Sequence, residues 1–251
     1  MPSNLQLVRP PSVLKERLIV ALDVSDLERV KTVVGLLAGE VGMFKVGKQL
    51  FTHAGPSAVK LIQDLGGEVF LDLKFHDIPT TVAKAATEAS RLGVKMFDVH
   101  ASGSLEMMRQ TVKAVQRVCR QDGLRKPIML AVTVLTSLDK SDLEKVGVNG
   151  ELGDHVVRLA LLTQESGMDG VVASPHEVTG IRSACGRRFI IVSPGIRSQG
   201  AKRNDQRRVM TSAEAIRAGV DYIVVGRPIM EAKDPLRAAR EMVSEMEGSA
   251  G

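Results

Sequence analysis

The sequence alternates eight times between a short run rich in Val, Ile and Phe and a longer amphipathic stretch. Such runs are typical of β-strands, the stretches of α-helices, and their alternation indicates parallel βα units. The strand-like runs are residues 18–24, 43–46, 68–75, 96–100, 128–135, 170–173, 189–192 and 222–225. The helical stretches are residues 27–37, 56–65, 80–92, 104–120, 153–165, 178–183, 213–218 and 235–246. Eight units in 251 residues predict an α/β protein, a (β/α)8 TIM barrel.

A doubly wound open sheet uses the same βα units and is the competing architecture. The barrel is favoured because all eight repeats are present and no Gly-x-Gly-x-x-Gly follows the first strand. No linker or change in composition divides the chain, so we expect a single domain. Residues 1–16, with three prolines, predict an irregular lead-in, and residues 17–248 the barrel catalytic domain. Two connections, 137–152 and 195–211, are long enough to be functional loops.

Composition limits the classes of partner. The formal net charge is +5, from 34 basic and 29 acidic residues, and only 3% of residues are aromatic. Base-stacking surfaces would be hard to build, so we expect no nucleic-acid partner and favour a small anionic ligand such as a phosphate ester.

The chain also lacks signals for export or membrane insertion. No apolar stretch approaches the ~20 residues of a membrane span, and residues 1–9 lack the apolar core of a secretory signal. The two cysteines cannot form a disulfide framework, and neither they nor the five histidines show metal-ligand spacing. We therefore expect a cytoplasmic protein without a metal site.

Charged residues interrupt predicted strands that should otherwise be apolar. Asp23 lies in the first strand, Lys45 in the second, and Asp72 and Lys74 in the third, with Asp77 just beyond. Positions 72 and 74 project to one face of a regular strand, near the carboxyl end where parallel barrels build active sites. A structural ion-pair network is the alternative, since buried pairs often add little stability. Five converging charges favour catalysis.

The last two strands offer a phosphate site. The eighth strand leads into Gly226-Arg227, and the seventh into Ser-Pro-Gly-Ile-Arg at 193–197, with Gln206 further along the same connection. Glycine lets the backbone approach a ligand, and arginine supplies a fork of N–H donors. Phosphate is commonly bound by the loops after strands seven and eight of a barrel.

These segments together resemble the orotidine 5'-phosphate decarboxylase family. The resemblance runs from about residue 18 to 246 and is carried most specifically by Phe-Leu-Asp-Leu-Lys-Phe-His-Asp-Ile-Pro-Thr-Thr-Val at 70–82 together with Pro-Gly-Ile-Arg at 194–197. Matching segments also occur at 21–23, 44–47, 132–137 and 225–229. Thr80 stands where the family commonly has Asn, while Thr81 keeps the functional position.

The resemblance implies decarboxylation of orotidine 5'-monophosphate to UMP, the last step of de novo pyrimidine synthesis, by a homodimer with no metal or organic cofactor. Lys74 would be the proton donor within a charged array that includes Lys45 and Asp72, and Asp77 and Thr81 would enter the partner's site. The implied substrate-binding residues are Asp23 and Lys45 at the ribose, Thr136 at the pyrimidine, Asp72, Thr81 and Pro194, and Arg197, Gln206, Gly226 and Arg227 around the phosphate.

Two other functions remain open at this point. A metal-dependent relative, such as a keto-gulonate-phosphate decarboxylase or hexulose-phosphate synthase, uses the same Asp-x-Lys-x-x-Asp on a barrel to bind Mg²⁺ and stabilise an enediolate. A non-catalytic nucleotide- or RNA-binding protein would agree with the pI of about 9.3 but leaves the charges of the third strand unexplained.

Overall fold

The strands close into one parallel barrel. The computed structural model describes residues 13–197 and 210–248. The barrel strands are β1 (Leu18–Ala21), β2 (Met43–Gly47), β3 (Val69–Phe75), β4 (Met96–His100), β5 (Ile128–Val132), β6 (Gly170–Val172), β7 (Ile190–Ser193) and β10 (Tyr222–Val225). They pair in chain order, and β10 closes the ring against β1. The predicted (β/α)8 TIM barrel is confirmed.

Helices cover the outside of the barrel. They are α1 (Leu27–Leu37), α2 (Lys48–Ala54), α3 (Pro56–Asp64), α4 (Pro79–Arg91), α5 (Leu105–Gln121), α6 (Lys140–Lys145), α7 (Leu152–Ser166), α8 (Val178–Cys185), α9 (Ser212–Ala218), α10 (Arg227–Met230) and α11 (Pro235–Glu247). Short 3₁₀ helices occur at Leu14–Arg17, Ala101–Gly103 and Pro175–Glu177. Among the described helices, none is long and apolar enough to cross a membrane.

The eight predicted helices are present, and α2, α6 and α10 are additional. Three predicted strands end early, at Ala21 in β1, Val132 in β5 and Val172 in β6. The polar residues after β1 and β5 therefore belong to loops. The predicted long connection 137–152 contains α6. The other long connection holds a small sheet of β8 (Ile196–Arg197) and β9 (Met210–Thr211), between which residues 198–209 lie outside the described part of the chain. Of the predicted lead-in, residues 1–12 also lie outside it, and the rest runs into the first 3₁₀ helix.

Alternating strand residues build two apolar layers, as the two-residue period of a strand requires. Outward residues such as Val20, Phe44 and Phe97 pack with the helices. Inward residues such as Phe70 and Met96 fill the barrel interior. The helices contribute apolar stripes, and α5 buries Met107, Thr111, Val115 and Val118 at the spacing of one helical face.

A buried ionic cluster closes the amino-terminal end of the barrel. Arg182 of α8 pairs with Asp221, which precedes β10, and donates to the carbonyl of Gly219 at 3.0 Å. The Asp221 carboxylate also accepts the backbone N–H of Ile191 at 2.8 Å. Arg17 donates to the carbonyl of Asp221 at 2.7 Å. Residues at this end of a barrel usually serve stability, because the active site lies at the opposite end.

Candidate active site

A cavity of about 340 Å³ opens at the carboxyl ends of the barrel strands. Its wall includes eight of the residues predicted for the site: Asp23, Lys45, Asp72, Lys74, Thr136, Pro194, Gly226 and Arg227. These come from six different segments of the chain, and barrel closure brings them together. Substrate pockets of barrel enzymes are commonly found at this end.

Four of these residues form a continuous chain of charges on β2, β3 and the loop after β1. Lys45 Nζ lies 3.0 Å from Asp23 Oδ1 and 3.1 Å from Asp72 Oδ2. The other oxygen of Asp72 accepts a short hydrogen bond from Lys74 Nζ. Carboxylate and ammonium groups therefore alternate across the floor of the cavity, in the order Asp23, Lys45, Asp72, Lys74.

Burial and charge set the ionisation of the two central groups. Lys45 is 9% exposed and Asp72 is 8% exposed. Burial alone would lower the pKa of Lys45, but the charges of Asp72 and then Asp23 outweigh it and raise that pKa. Burial would likewise raise the pKa of Asp72, yet Lys45 and Lys74 bring it below its ordinary value. Both groups are charged at neutral pH.

A β-bulge delivers Lys74 to the cavity. The pairing of β3 with β4 shifts register between Leu71 and Phe75. Within the shift, Lys74 has a φ of 53°, in the left-handed region. We expected positions 72 and 74 to meet through regular alternation. They do meet, but through a bulge that changes the direction of a side chain, as bulges near active sites often do.

Glycine at position 47 makes room for the charges. A Cβ there would lie 2.9 Å from Lys45 Nζ and 3.1 Å from Asp23 Oδ1. Gly47 belongs to the matching segment 44–47, but the sequence did not predict a role for it in the site. The signal was present, because a glycine ending a strand indicates close approach of another group.

Apolar lining residues were also missed. Phe70, Val132, Val172 and Val224 line the cavity, and all four belong to the inward-facing layer of their strands. The two-residue period of the strands could have identified them. Leu135 and Ser137 line it from the loop after β5, where no periodic signal exists.

Two predicted residues lie away from the cavity wall. Asp77 and Thr81 are exposed and are not among the residues that line it. Asp77 accepts the backbone N–H of Ile78 at 2.6 Å, and Ile78 is itself 64% exposed. Within the described residues, this segment therefore does not complete the chain's own cavity.

Two further predicted residues cannot be placed with their side chains. Gln206 lies outside the described residues, and for Arg197 only the backbone is described, as part of β8. The cavity wall near them is formed by Pro194 and Gly195 after β7 and by Gly226 and Arg227 after β10. These two strands are neighbours in the barrel, so the two segments lie side by side.

Comparison with known proteins agrees with this arrangement. The sequence profile of the Orotidine 5'-phosphate decarboxylase / HUMPS family matches residues 16–242. The chain belongs to this family. The predicted resemblance is thereby confirmed, and so is the prediction of a carboxy-lyase.

Relatives cover nearly the whole length of this orotidine 5'-phosphate decarboxylase / HUMPS family member. An orotidine 5'-phosphate decarboxylase of Geobacter sulfurreducens is 53% identical over 92% of this chain and 96% of its own. One of Moorella thermoacetica is 52% identical over 93% of both chains. The crystal structure of an orotidine 5'-phosphate decarboxylase from Lactobacillus acidophilus superposes with a TM-score of 0.80 at 34% identity, covering 91% of this chain and 98% of that one.

Proposed function

We propose that the protein decarboxylates orotidine 5'-monophosphate to UMP in de novo pyrimidine synthesis, with Lys74 as the proton donor. The observation that carries the proposal is the chain of charges from Asp23 to Lys74 across the floor of the cavity. The choice of substrate is supported by the names of relatives that are 53% and 52% identical to this chain. The geometry supports the roles of individual residues.

The chemistry requires a cation at the carbon that loses CO2. Breaking the bond from C6 to the carboxylate leaves an electron pair in the plane of the pyrimidine ring, where the ring cannot delocalise it well. The Lys74 ammonium is a compact charge that can stabilise this pair and then transfer a proton to C6. Its partner Asp72 is fixed in turn by Lys45, so the field at C6 is preorganised before the substrate reacts.

The remaining wall suits the other parts of the nucleotide. Asp23 and Lys45 supply an acceptor and a donor for the ribose hydroxyls, and Thr136 lies in the cavity wall for the pyrimidine. The phosphate is assigned to Pro194, Gly226 and Arg227, with Arg197 and Gln206 from the same connection. Binding energy at the phosphate can be used to order the charged groups at C6, so Arg227 is expected to affect kcat as well as KM.

We further propose a homodimer in which Asp77 and Thr81 reach the partner's site. The support is that Asp77 and Thr81 are both exposed and that Ile78, an apolar residue between them in the sequence, is 64% exposed. Mixing inactive Lys74→Ala with inactive Asp77→Ala protein tests this. Heterodimers with one intact site should regain activity. No recovery after demonstrated subunit exchange would refute the shared site.

The proposal includes catalysis without a metal or organic cofactor. In residues 13–197 and 210–248, no group of three or more His, Cys, Asp or Glu side chains is placed to hold a metal ion. The carboxylates of Asp23 and Asp72 bind lysines, which competes with metal coordination. A metal-dependent relative of the same family would lose activity in excess EDTA, whereas this protein is expected to keep it.

The deciding experiment follows the absorbance of orotidine 5'-monophosphate in the presence of EDTA. Purified protein should consume it, and Lys74→Ala should fold normally but lose nearly all activity. The exposed Lys60 of α3, which pairs with Asp64 at 3.0 Å, gives the matched control Lys60→Ala, which should keep full activity. Substantial turnover by Lys74→Ala would remove Lys74 from its role.

We also propose that the protein works in the cytoplasm, a compartment that suits its two free, buried cysteines, Cys119 and Cys185. The expected absence of a nucleic-acid partner stays a prediction. Salt-dependent RNA binding without turnover would contradict both it and the proposed enzyme.

A further inference from the structure

A buried carboxyl that the proposed mechanism does not use lies beneath Lys74. Asp98 projects from the middle of β4 and has no exposed surface. The register pairs Leu71 with Phe97 and Phe75 with Val99, so residues 72, 73 and 74 of β3 lie opposite residue 98 alone. The regular ladder of hydrogen bonds is interrupted there, as expected at a bulge.

The Asp98 side chain supplies a hydrogen-bond acceptor where the backbone ladder is interrupted. Its Oδ1 accepts the backbone N–H of Lys74 at 2.8 Å. This bond is made at Lys74, whose φ of 53° is unfavourable for residues that, unlike glycine, carry a Cβ. A residue held in such a conformation needs its surroundings to fix it. Asp98 supplies one such contact directly.

The second oxygen of Asp98 identifies its protonation state. No N–H or O–H group of the described residues donates to Oδ2, and the nearby carboxyl of Asp72 interacts with that of Asp98. Two carboxyl groups can share a hydrogen bond only if one of them carries a proton. Asp72 is ionised because Lys45 and Lys74 pair with it, so the proton belongs to Asp98.

The surroundings agree with this assignment. Burial, followed by the charge of Asp72, raises the pKa of Asp98 well above its ordinary value, against the opposing charge of Lys74. The strand on the other side, β5, carries no titratable side chain. On its own strand, His100 has a pKa lowered to about 4, by burial and then by His76 and Lys74, so it is neutral at pH 7.

We infer that Asp98 is a positioning residue that acts as a neutral acid: it fixes the backbone of Lys74 in the bulge and donates to Asp72, so that both face the reacting carbon. The inference rests on the proposed function of Lys74. It assigns Asp98 no contact with the substrate.

Asparagine at position 98 distinguishes a neutral acid from a carboxylate. The amide oxygen can accept the Lys74 N–H, and the amide nitrogen can donate to Asp72, so Asp98→Asn keeps both bonds of a neutral acid. Alanine loses both. We expect Asp98→Asn to retain kcat within about twofold and Asp98→Ala to lose about 100-fold, the size of effect that small misplacements of catalytic groups produce. KM should change less, because the lost interaction orients the group that acts in the transition state.

A second measurement needs neither substrate nor the alanine variant. In the folded protein Asp98 keeps a proton that the unfolded chain releases above its ordinary pKa, so the wild type loses stability as pH rises through this range. Asp98→Asn has no such proton. Its urea midpoint should therefore improve relative to wild type as pH rises from about 4, the ordinary pKa of an aspartate, toward neutral. An ionised Asp98 would give the opposite trend.

The matched control is Asp221→Asn, at the other end of the barrel. Asp221 is also buried and also accepts a backbone N–H, from Ile191, but it lies far from the cavity. It should change stability and leave kcat unchanged.

Two results would overturn the inference. Asp98→Asn could lose as much kcat as Asp98→Ala, which would make the negative charge essential, or a folded Asp98→Ala could keep the wild-type kcat. If the alanine variant does not fold, the trend of the Asp98→Asn midpoint with pH still decides the protonation state. A wild type without decarboxylase activity would refute the proposed function instead, and the urea comparison would remain valid.

Discussion

Removing the charge of Asp72 while keeping its shape tests whether the site is a single buried charge network. In Asp72→Asn the amide occupies the same volume, but Lys45 and Lys74 lose the carboxylate they share. Lys45 is 9% exposed and cannot be solvated fully where it lies. It keeps Asp23, at 3.0 Å, as a partner, and the side chain of that aspartate is 57% exposed.

The expected loss of stability follows from these contacts. Two unit charges at the 3.1 Å that separates Lys45 Nζ from Asp72 Oδ2 attract by about 5 kcal/mol at an effective dielectric constant near 20. Removing one partner of a buried pair typically costs about 3–5 kcal/mol. Because Asp23 still compensates Lys45, we expect Asp72→Asn to lower the free energy of unfolding by about 3 kcal/mol, the lower end of that range.

The difference in the free energy of unfolding between wild type and Asp72→Asn should also depend on pH, with a definite sign. The pKa of Asp72 is lowered in the folded protein, so its charge stabilises the fold above the ordinary pKa of an aspartate. This contribution disappears as pH falls through the lowered pKa, where the wild type itself becomes protonated. The gap between wild type and Asp72→Asn is therefore largest near neutral pH and narrows below about pH 4.

Urea unfolding followed by circular dichroism measures both effects. Asp64→Asn is the matched control, because Asp64 also accepts from a lysine at 3.0 Å but its side chain is 59% exposed. Exposed pairs of this kind contribute less than about 1 kcal/mol. If Asp72→Asn destabilises no more than Asp64→Asn, or if the gap does not change with pH, the site is not a buried charge network.

The other predictions concern backbone strain and packing. Lys74→Gly should be more stable than Lys74→Ala by about 1 kcal/mol in urea unfolding, because glycine tolerates the left-handed conformation; equal stability would contradict the strain. Arg182→Met should destabilise by about 3 kcal/mol by leaving Asp221 unpaired, without changing kcat; a lower kcat in folded protein would show coupling to the site. Gly35→Ala, where nothing lies within 4 Å of the new Cβ, should stabilise α1 by about 1 kcal/mol. Gly170→Ala, whose Cβ would lie 2.1 Å from the carbonyl oxygen of Ile190, should destabilise by about 2 kcal/mol or more, and a raised melting temperature would refute the clash.

Much of the site could be predicted because the carboxyl ends of parallel strands meet at one end of a barrel. Residues that lie in or directly after a strand near its carboxyl end, such as Asp23, Lys45 and Gly226, were therefore predicted to lie together, and they do. The same reasoning cannot place Asp77 and Thr81, because their proposed site belongs to another subunit. It also did not predict α6 in the connection after β5, because this helix has only six residues and most of them are polar.

The sequence by itself determined the order of the strands, the barrel and the group of charged residues at its mouth, since a two-residue period and repeated βα units are local properties of the chain. Only the tertiary structure decided how Asp72 and Lys74 meet. The bulge depends on the pairing of β3 with β4, which is a contact between separate segments of the chain. It therefore produces no repeating pattern in the sequence of either strand. For the same reason, only the fold shows that Asp98, a polar residue in a mostly apolar strand, lies beneath the lysine on which the proposed reaction depends.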